Sequence, residues 1–264
     1  MQIIAHRGAH REKSEENTPR AFHRAAIYLF PMLELDARLT KDDCLVTHHD
    51  QEIHLHGRQV KIRDHLFLDL VTDGVCTNEP IRFVQSGKIP SLEMVLDFFL
   101  HQIDINIELK EKGSGRVLAD LLNKIPNKYS RFESGEILKK LVISSFEESE
   151  LIVVKKFYPQ LETALLLSNF CFPISSVNRK KLDRLRRFGV NAVHLPQRKA
   201  TKDVVDYLKH KQGFAVRVYT VNDLAVMYNC HNAGVDGVFT DKMEMLEWMM
   251  PAKDKKPISQ SVSV

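Results

Sequence analysis

Residues that can do chemistry recur beside short apolar runs in the first half of the chain. Carboxylates hold divalent metals, arginine and lysine bind phosphate oxygens, and histidines transfer protons near neutral pH. Two histidines, three carboxylates, one arginine and one lysine together are typical of enzymes that cleave phosphodiesters. The set is His6, Arg7, Glu34, Asp36, His49, Glu108 and Lys110.

The carboxylates of this set predict a metal site. Glu34 and Asp36 are two residues apart in a predicted strand, so their side chains share one face, where like charges repel unless a cation is present. Glu108 falls near the end of another predicted strand, and three carboxylates without a cysteine favour Mg²⁺ or Ca²⁺ over zinc. For Glu34 and Asp36 alone, a surface ion pair such as Glu34 with Arg38 is the commoner explanation.

The cations leave two interpretations open. Lys110 shares a face with Glu108, which is compatible either with a structural ion pair across a barrel or with a metal ligand beside a phosphate-binding lysine. Arg7 has the forked guanidinium that can bind two phosphate oxygens.

The histidines could supply a general base and a general acid. His6 ends the first predicted strand, and His49 ends a later apolar run. Because the chain contains 12 histidines, chance placement is a real alternative, and spacing does not separate His48 from His49.

The elements that must position these side chains alternate regularly along the chain. Eight strands, each followed by a helix, predict an α/β fold, the (β/α)₈ or TIM barrel, whose active site lies at the carboxyl ends of the strands. A doubly wound open sheet is the alternative, but the first turn lacks the G-x-G-x-x-G pattern. The predicted strands are 2–6, 33–38, 103–109, 140–145, 161–167, 191–195, 214–220 and 235–240. The predicted helices are 19–29, 91–100, 115–124, 147–157, 178–188, 201–211, 222–232 and 241–249.

Side chains that can cap helices support several of these starts. Thr18, which precedes a proline, and Ser91 are predicted N-caps, and Asn222 and Asp241 are predicted to cap the last two helices.

One segment interrupts the alternation. Residues 44–49 resemble a strand but follow strand 2 too closely for a parallel crossover, so residues 33–49 predict a hairpin arm that turns at 40–43. The weakly periodic stretch at about 51–89 predicts a functional loop or a small subdomain inserted after strand 2. We expect a single catalytic barrel over 1–250 and a polar, disordered tail over 251–264.

Composition excludes several classes of protein. The net charge of +4 is spread along 264 residues, so no basic tract predicts nucleic-acid binding. The four cysteines are far apart, which favours reduced thiols and a cytoplasmic location. No apolar run is long enough to span a membrane, and the first residues do not resemble a signal peptide.

The order of the motifs is more specific than any one of them, and it resembles the glycerophosphodiester phosphodiesterase family from residue 3 to about 242. The motifs are His6-Arg7-Gly8, Glu16-Asn17-Thr18, Glu34-Leu35-Asp36, Thr40-Lys41-Asp42, His49-Asp50, Ile89-Pro90-Ser91-Leu92-Glu93, Asn106-Ile107-Glu108-Leu109-Lys110, Ser144-Ser145-Phe146, Val218-Tyr219-Thr220-Val221-Asn222, Gly234-Val235-Asp236-Gly237 and Thr240-Asp241.

The resemblance implies metal-dependent hydrolysis of a small-molecule glycerophosphodiester to glycerol 3-phosphate and an alcohol by histidine acid–base catalysis. It implies Glu34, Asp36 and Glu108 as metal ligands, His6 and His49 as catalytic residues, and Arg7, Lys110, Glu16 and Tyr219 as substrate-binding residues. Tyr219 stands where the family commonly has tryptophan, and 51–57 departs from the family pattern.

Three other functions are weighed against this one. A lysophospholipase D-like or phosphoinositide phospholipase-like enzyme would use the same barrel, and the apolar residues 65–71 are compatible with a lipid substrate. A non-catalytic barrel adaptor is expected to lack at least one charged site residue, and none is missing. A glycosidase would leave the histidines and cations without a role. The sequence predicts neither the alcohol nor the oligomeric state.

Overall fold

The computed structural model describes residues 1–55, 57–71, 89–124, 134–168 and 173–249. Eight parallel strands form a closed barrel in the order β1-β2-β6-β7-β8-β9-β10-β11, and β11 pairs with β1. The described strands are β1 Gln2–Ala5, β2 Met32–Leu39, β3 Leu45–Thr47, β4 Glu52–Leu55, β5 Arg58–Lys61, β6 Asp104–Leu109, β7 Leu141–Ser145, β8 Glu162–Leu166, β9 Ala192–Pro196, β10 Ala215–Tyr219 and β11 Gly237–Thr240. This is the predicted (β/α)₈ barrel.

Helices follow the barrel strands and cover the outside of the barrel. The described α-helices are α1 Pro19–Ile27, α2 Phe67–Leu70, α3 Leu92–Phe99, α4 Ser114–Leu122, α5 Ser134–Leu138, α6 Glu148–Phe157, α7 Ser176–Arg187, α8 Lys202–Asp206 and α9 Leu224–Ala233. After α8 the chain continues through a wider π-helical turn, Tyr207–Lys211.

The eight predicted barrel strands and seven of the eight predicted helices are confirmed within two residues at their described ends, the helix at 201–211 as α8 together with the π-helical turn that follows it. The exception is 241–249, which forms a 3₁₀ helix, Met243–Met249. The predicted cap Asp241 is not available there because its carboxylate binds His6 and Asn222. Asn222 is not a cap either, since Asp223 caps α9. Thr18 and Ser91 cap α1 and α3 as predicted.

The core has two parts that follow from the alternation of side chains along each strand. The larger part fills the space between strands and helices, where Leu33, Leu35 and Ile107 are fully buried. A smaller cluster fills the barrel interior: Ile4, Met32, Val142, Ala164, Ala192 and Phe239. Because the barrel strands are covered on both faces, every residue of β2 is buried, including its charged ones.

The insertion after β2 begins as predicted and then adds structure that periodicity did not indicate. β3 pairs antiparallel with β2, which confirms the hairpin arm. β4 and β5 form a second antiparallel hairpin, followed by a short 3₁₀ turn, Ile62–Asp64, and by α2. The rest of the predicted insertion, 72–88, and the predicted tail, 251–264, lie outside the described residues. The division into a barrel over 1–250 and a tail stays a prediction.

Within the part of the chain that the structure describes, no helix combines the length and the apolar character needed to cross a bilayer.

Candidate active site

Three buried carboxylates meet inside the barrel at the carboxyl ends of β2 and β6. The register pairs Asp36 with Glu108, and Glu34 lies one pleat below Asp36 on the same face. One oxygen of each of Glu34, Asp36 and Glu108 lies within 4.8 Å of the others, and the three residues are at most 8% exposed. Burial, and to a smaller extent the neighbouring Asp36, raise the pKa of Glu34 to about 8, so without a bound cation Glu34 keeps its proton near neutral pH.

Two cations compensate part of this charge. The Lys110 ammonium lies 2.7 Å from Glu108 Oε1 and 3.1 Å from Asp36 Oδ1. The Arg7 guanidinium lies 3.3 Å from Asp36 Oδ2. Burial opposes ionisation of Asp36, but Lys110 and Arg7 outweigh it and hold the pKa of Asp36 below its ordinary value. The interpretation of Glu108 and Lys110 as an ion pair is confirmed. The other interpretation, a metal ligand beside a phosphate-binding lysine, stays a prediction.

Asn17 is a site residue that the sequence motif contained but whose contacts the sequence did not predict. Its side-chain amide donates to Asp36 Oδ2 at 2.8 Å, and its amide oxygen accepts from the Asp36 backbone at 2.9 Å. Asn17 is 2% exposed and adopts a left-handed φ of 59°, which asparagine tolerates better than most residues. The β1–α1 loop therefore holds Asp36 through both its carboxylate and its backbone N–H.

The same loop places Arg7 and Glu16. Arg7 donates through its backbone N–H to Glu34 Oε2 at 2.9 Å and through its guanidinium to Glu16 Oε2 at 2.5 Å. The loop packs tightly against α1 at Gly8, since a Cβ there would lie 2.8 Å from the carbonyl carbon of Ala21. Gly8 also has a φ of +82°, so glycine is required on both counts.

His6 is held by a chain of hydrogen bonds that joins the two ends of the barrel sheet. Its Nδ1 lies 2.6 Å from Asp241 Oδ1, and Asn222 donates to Asp241 Oδ2 at 2.7 Å. Its Nε2 lies 4.0 Å from Glu34. Burial opposes the charged imidazolium, but Asp241 and Glu34 outweigh it and raise the pKa of His6 above its ordinary value.

His49 approaches the site from the loop after β3. Its Nδ1 lies 2.8 Å from Asp50 Oδ1, and its side chain is 39% exposed. Burial and the nearby Arg7 and Lys110 charges lower the pKa of His49, although Asp36 opposes the shift. These neighbours place His49 beside the acidic cluster.

His48 has a different set of charged neighbours. The pKa of His48 is lowered by burial and by Arg38, while Asp50 and Asp36 oppose the shift. Arg7 and Lys110 are among the strongest influences on the pKa of His49, which favours His49 as the site histidine.

An aromatic pair forms another part of the mouth. The rings of Phe146, after β7, and Tyr219, at the end of β10, meet edge to face with centroids 6.5 Å apart. Burial and the nearby Glu108 raise the pKa of Tyr219 to about 12, so its hydroxyl stays protonated near neutral pH. Tyr219 thus borders the acidic cluster.

All nine predicted site residues lie at one end of the barrel. The surface pair of Glu34 with Arg38 that the sequence left open is wrong, because Arg38 is 6% exposed and pairs with Glu111. The sequence missed the roles of Asn17, Arg38 and Asp241 around the predicted residues. Asn17 and Asp241 belong to motifs that are visible in the sequence. The residues to which they form hydrogen bonds, Asp36 and His6, could not be predicted from the sequence. The chemical roles of the predicted residues stay predictions.

The carboxylate cluster fits a divalent cation. Mg²⁺ and Ca²⁺ prefer hard oxygen ligands, and the three side chains offer only such atoms. The raised pKa of Glu34 shows that burial beside Asp36 disfavours its ionised form, and a bound cation would reverse this preference. The fold and the site together define a class of protein: a TIM barrel whose mouth combines a candidate metal cluster with two cationic side chains and two histidines.

Comparisons with known proteins narrow this class. The family model described as the glycerophosphoryl diester phosphodiesterase family matches residues 6–245. A glycerophosphodiester phosphodiesterase of Caldanaerobacter subterraneus is 30% identical over 265 residues, which cover 92% of this chain and 95% of the relative. The chain therefore belongs to the glycerophosphoryl diester phosphodiesterase family.

Solved structures agree with the fold. A glycerophosphodiester phosphodiesterase from Thermotoga maritima superposes with a TM-score of 0.68 at 26% identity and covers 95% of this chain and 98% of its own. A phosphodiesterase from Oleispira antarctica, in complex with the product sn-glycerol-3-phosphate, gives a TM-score of 0.71 at 23% identity and covers 94% of this chain and 96% of its own.

Proposed function

We propose that this protein hydrolyses glycerophosphodiesters to glycerol 3-phosphate and an alcohol. The observation that carries the proposal is the buried carboxylate cluster of Glu34, Asp36 and Glu108, which lies between two cations and two histidines at the mouth of a barrel of this family. Membership in the family and the named activity of its relatives support the reaction.

The phosphate of the substrate would bind at Arg7 and Lys110. Both cations already contact carboxylates, so their side chains are fixed before a ligand arrives. The guanidinium of Arg7 can donate two hydrogen bonds to one phosphate, while Lys110 offers a compact charge. Glu16 holds the Arg7 guanidinium, which gives the predicted substrate-binding role of Glu16 a physical basis.

His6 and His49 would move the protons. One of them removes a proton from the attacking group, which is either water or the glycerol 2-hydroxyl, and the other protonates the leaving alkoxide. Each imidazole uses Nδ1 to contact a carboxylate, which leaves Nε2 as the nitrogen for proton transfer. The proposed proton donor and the proposed proton acceptor are thus both held in place by a carboxylate, His6 by Asp241 and His49 by Asp50.

The carboxylate cluster would hold Mg²⁺ or Ca²⁺ through Glu34, Asp36 and Glu108. When bound, such a cation polarises a non-bridging phosphate oxygen and screens the negative charge that develops during cleavage. Asn17 keeps Asp36 in position for this task through its two hydrogen bonds.

The test is a coupled assay of glycerol 3-phosphate release over a panel of glycerophosphodiesters with different alcohols. We expect turnover with Mg²⁺ or Ca²⁺ and its loss in EDTA. The absence of glycerol 3-phosphate release from every member of the panel contradicts the proposed reaction. Full activity after exhaustive chelation contradicts the metal requirement alone.

A lysophospholipase D-like activity is a second candidate, and exposed leucines on the insertion favour it. Leu66, which precedes α2, and Leu68, within α2, are 43% and 73% exposed, and two exposed leucines so close together suit contact with an acyl chain. Parallel assays with glycerophosphocholine and lysophosphatidylcholine separate the candidates. Preference for the deacylated substrate supports the first proposal, and preference for the lysolipid supports the second.

The expected cytoplasmic location also stays a proposal. It rests on the wide separation of the four cysteines, and in the described part of the chain neither Cys44 nor Cys230 is in a disulfide. Fractionation of the source cells with an antibody against the protein tests it.

A further inference from the structure

A buried arginine grips the backbone of the loop that carries His49. Arg38 lies on β2, on the same face as Glu34 and Asp36, and is 6% exposed. Its Nε and Nη2 donate to the carbonyl oxygen of His49 at 2.8 and 2.6 Å. Two donors of one rigid fork therefore converge on a single acceptor, which restricts rotation of the peptide that follows His49.

Glu111, in the loop after the neighbouring strand β6, binds the remaining nitrogen of the Arg38 guanidinium. It follows β6, and its Oε1 accepts from Arg38 Nη1 at 2.7 Å, while its Oε2 accepts from the Leu39 backbone at 3.3 Å. A guanidinium so deeply buried is costly to desolvate unless it is paired, and Glu111 supplies the pair. The three hydrogen bonds of Arg38, two to His49 and one to Glu111, form a bracket that runs from the end of β6 through Arg38 to the loop after β3.

The bracket matters because it holds the carbonyl side of His49, whereas other contacts of the loop backbone lie before and after this peptide, at Thr47 with Pro90 and at Gln51 with Ile62. The loop lies beyond the end of β3, and the His49 side chain is half exposed. In the described residues, the adjacent backbone is tied to the barrel by the His48 N–H, which donates to the Asp36 carbonyl at 3.0 Å. Without Arg38, the peptide carrying both His49 and Asp50 would lose its contact with the barrel wall on the carbonyl side.

We propose that Arg38 and Glu111 are positioning residues, which hold His49 at the distance from the phosphate that proton transfer requires. The proposal rests on the proposed function, since it assumes that His49 transfers a proton. It assigns a role in turnover to two residues that touch neither substrate nor metal ligand side chains.

The test replaces Arg38 by lysine, which keeps the charge but loses the fork. Because a displaced proton-transfer group slows the chemical step more than binding, we expect kcat to fall about 10- to 100-fold while KM changes less than about threefold. We expect E111Q to lower kcat in the same direction but less. In the Arg38→Lys protein, backbone amides of residues 48–50 should exchange hydrogen for deuterium faster.

Arg217→Lys is the matched control. Arg217 is also 6% exposed and pairs with Glu162 at 2.6 Å inside the same barrel, away from His49. We expect it to lower Tm as Arg38→Lys does, with kcat and the exchange of residues 48–50 unchanged. If Arg38→Lys lowers only Tm, or lowers kcat no more than Arg217→Lys, the bracket is merely structural. An inactive wild-type protein instead refutes the proposed function and not the bracket, whose effect on amide exchange is still measurable.

Discussion

At the scale of single residues, His6 and His49 carry the proposed proton transfers. Replacing either by alanine should lower kcat about 10²- to 10⁴-fold, the usual effect of losing a general acid or base. Steady-state kinetics on purified variants measures this. His210→Ala is the control, because His210 lies on the outer surface with a 72% exposed side chain. Turnover unchanged in one site variant removes that histidine from the mechanism.

A second residue-scale prediction concerns His194, which lies in the barrel interior 4.9 Å from the Phe239 ring. Burial and the nearby Arg217 hold the pKa of His194 well below its ordinary value, so it stays neutral in the fold. The unfolded chain takes up a proton below about pH 6.5 that the folded chain does not. Stability should therefore fall with decreasing pH, by about 1 kcal/mol between pH 6.5 and 5.5 from this group.

Urea denaturation at pH 7.5, 6.5 and 5.5 measures the effect in the wild type and in His194→Gln. The variant should lose this part of the pH dependence, whatever its stability at pH 7.5. An equal decrease in both proteins shows that His194 is not the group responsible.

The proximity of the candidate site residues could be predicted from the sequence, but the contacts that hold them could not. Residue types and strand parity placed Glu34, Asp36 and Glu108 together, because alternation along a strand is a local property. The contacts of His6 with Asp241, and of Asp36 with Asn17, join residues distant in the chain. Such pairs depend on the three-dimensional register, and Asp241 was consequently interpreted as a helix cap.

At the scale of elements, the β1–α1 loop depends on Gly8. Gly8→Ala should destabilise the protein by about 2–4 kcal/mol, because the new Cβ adds a clash with Ala21 to the strain of a positive φ. Chemical denaturation measures this. Gly234→Ala is the control, since Gly234 also has a positive φ, +81°, but no atom within 4 Å of the added Cβ, and should cost only about 1–2 kcal/mol. Equal losses in the two variants contradict the role of the close packing.

The barrel strands were predictable and the insertion was not, for the same physical reason. Strands buried on both faces need continuous apolar runs, and those runs are visible in the sequence. The hairpin of β4 and β5 has three exposed residues in β5 and follows no regular alternation, so its strands carry no comparable signal. The 3₁₀ geometry of Met243–Met249 was likewise mistaken for an α-helix, since both patterns place apolar residues three apart.

At the scale of the whole molecule, the carboxylate cluster should couple cation binding to stability. Glu34, Asp36 and Glu108 come from two strands and repel one another, so a bound cation stabilises the folded state over the unfolded one. At about 100 times its dissociation constant, Mg²⁺ or Ca²⁺ should raise Tm by about 5–10 °C.

Differential scanning calorimetry with and without each cation measures this shift independently of activity. Glu108→Gln should remove most of it, whereas Glu244→Gln, an exposed residue outside the cluster, should retain it. A Tm that neither cation changes contradicts a metal site at this cluster.

The seam between β1 and β11 has a consequence for biosynthesis. The strand nearest the start of the chain pairs with a strand more than 230 residues later, from Gln2 with Gly237 to Ala5 with Thr240. A nascent polypeptide that has not yet emerged as far as β11 leaves β1 without one neighbour and His6 without Asp241. Because the proposed mechanism needs His6 held by Asp241, we expect a prematurely terminated product to be inert, so that enzymatic activity in a cell extract counts only chains translated past Asp241.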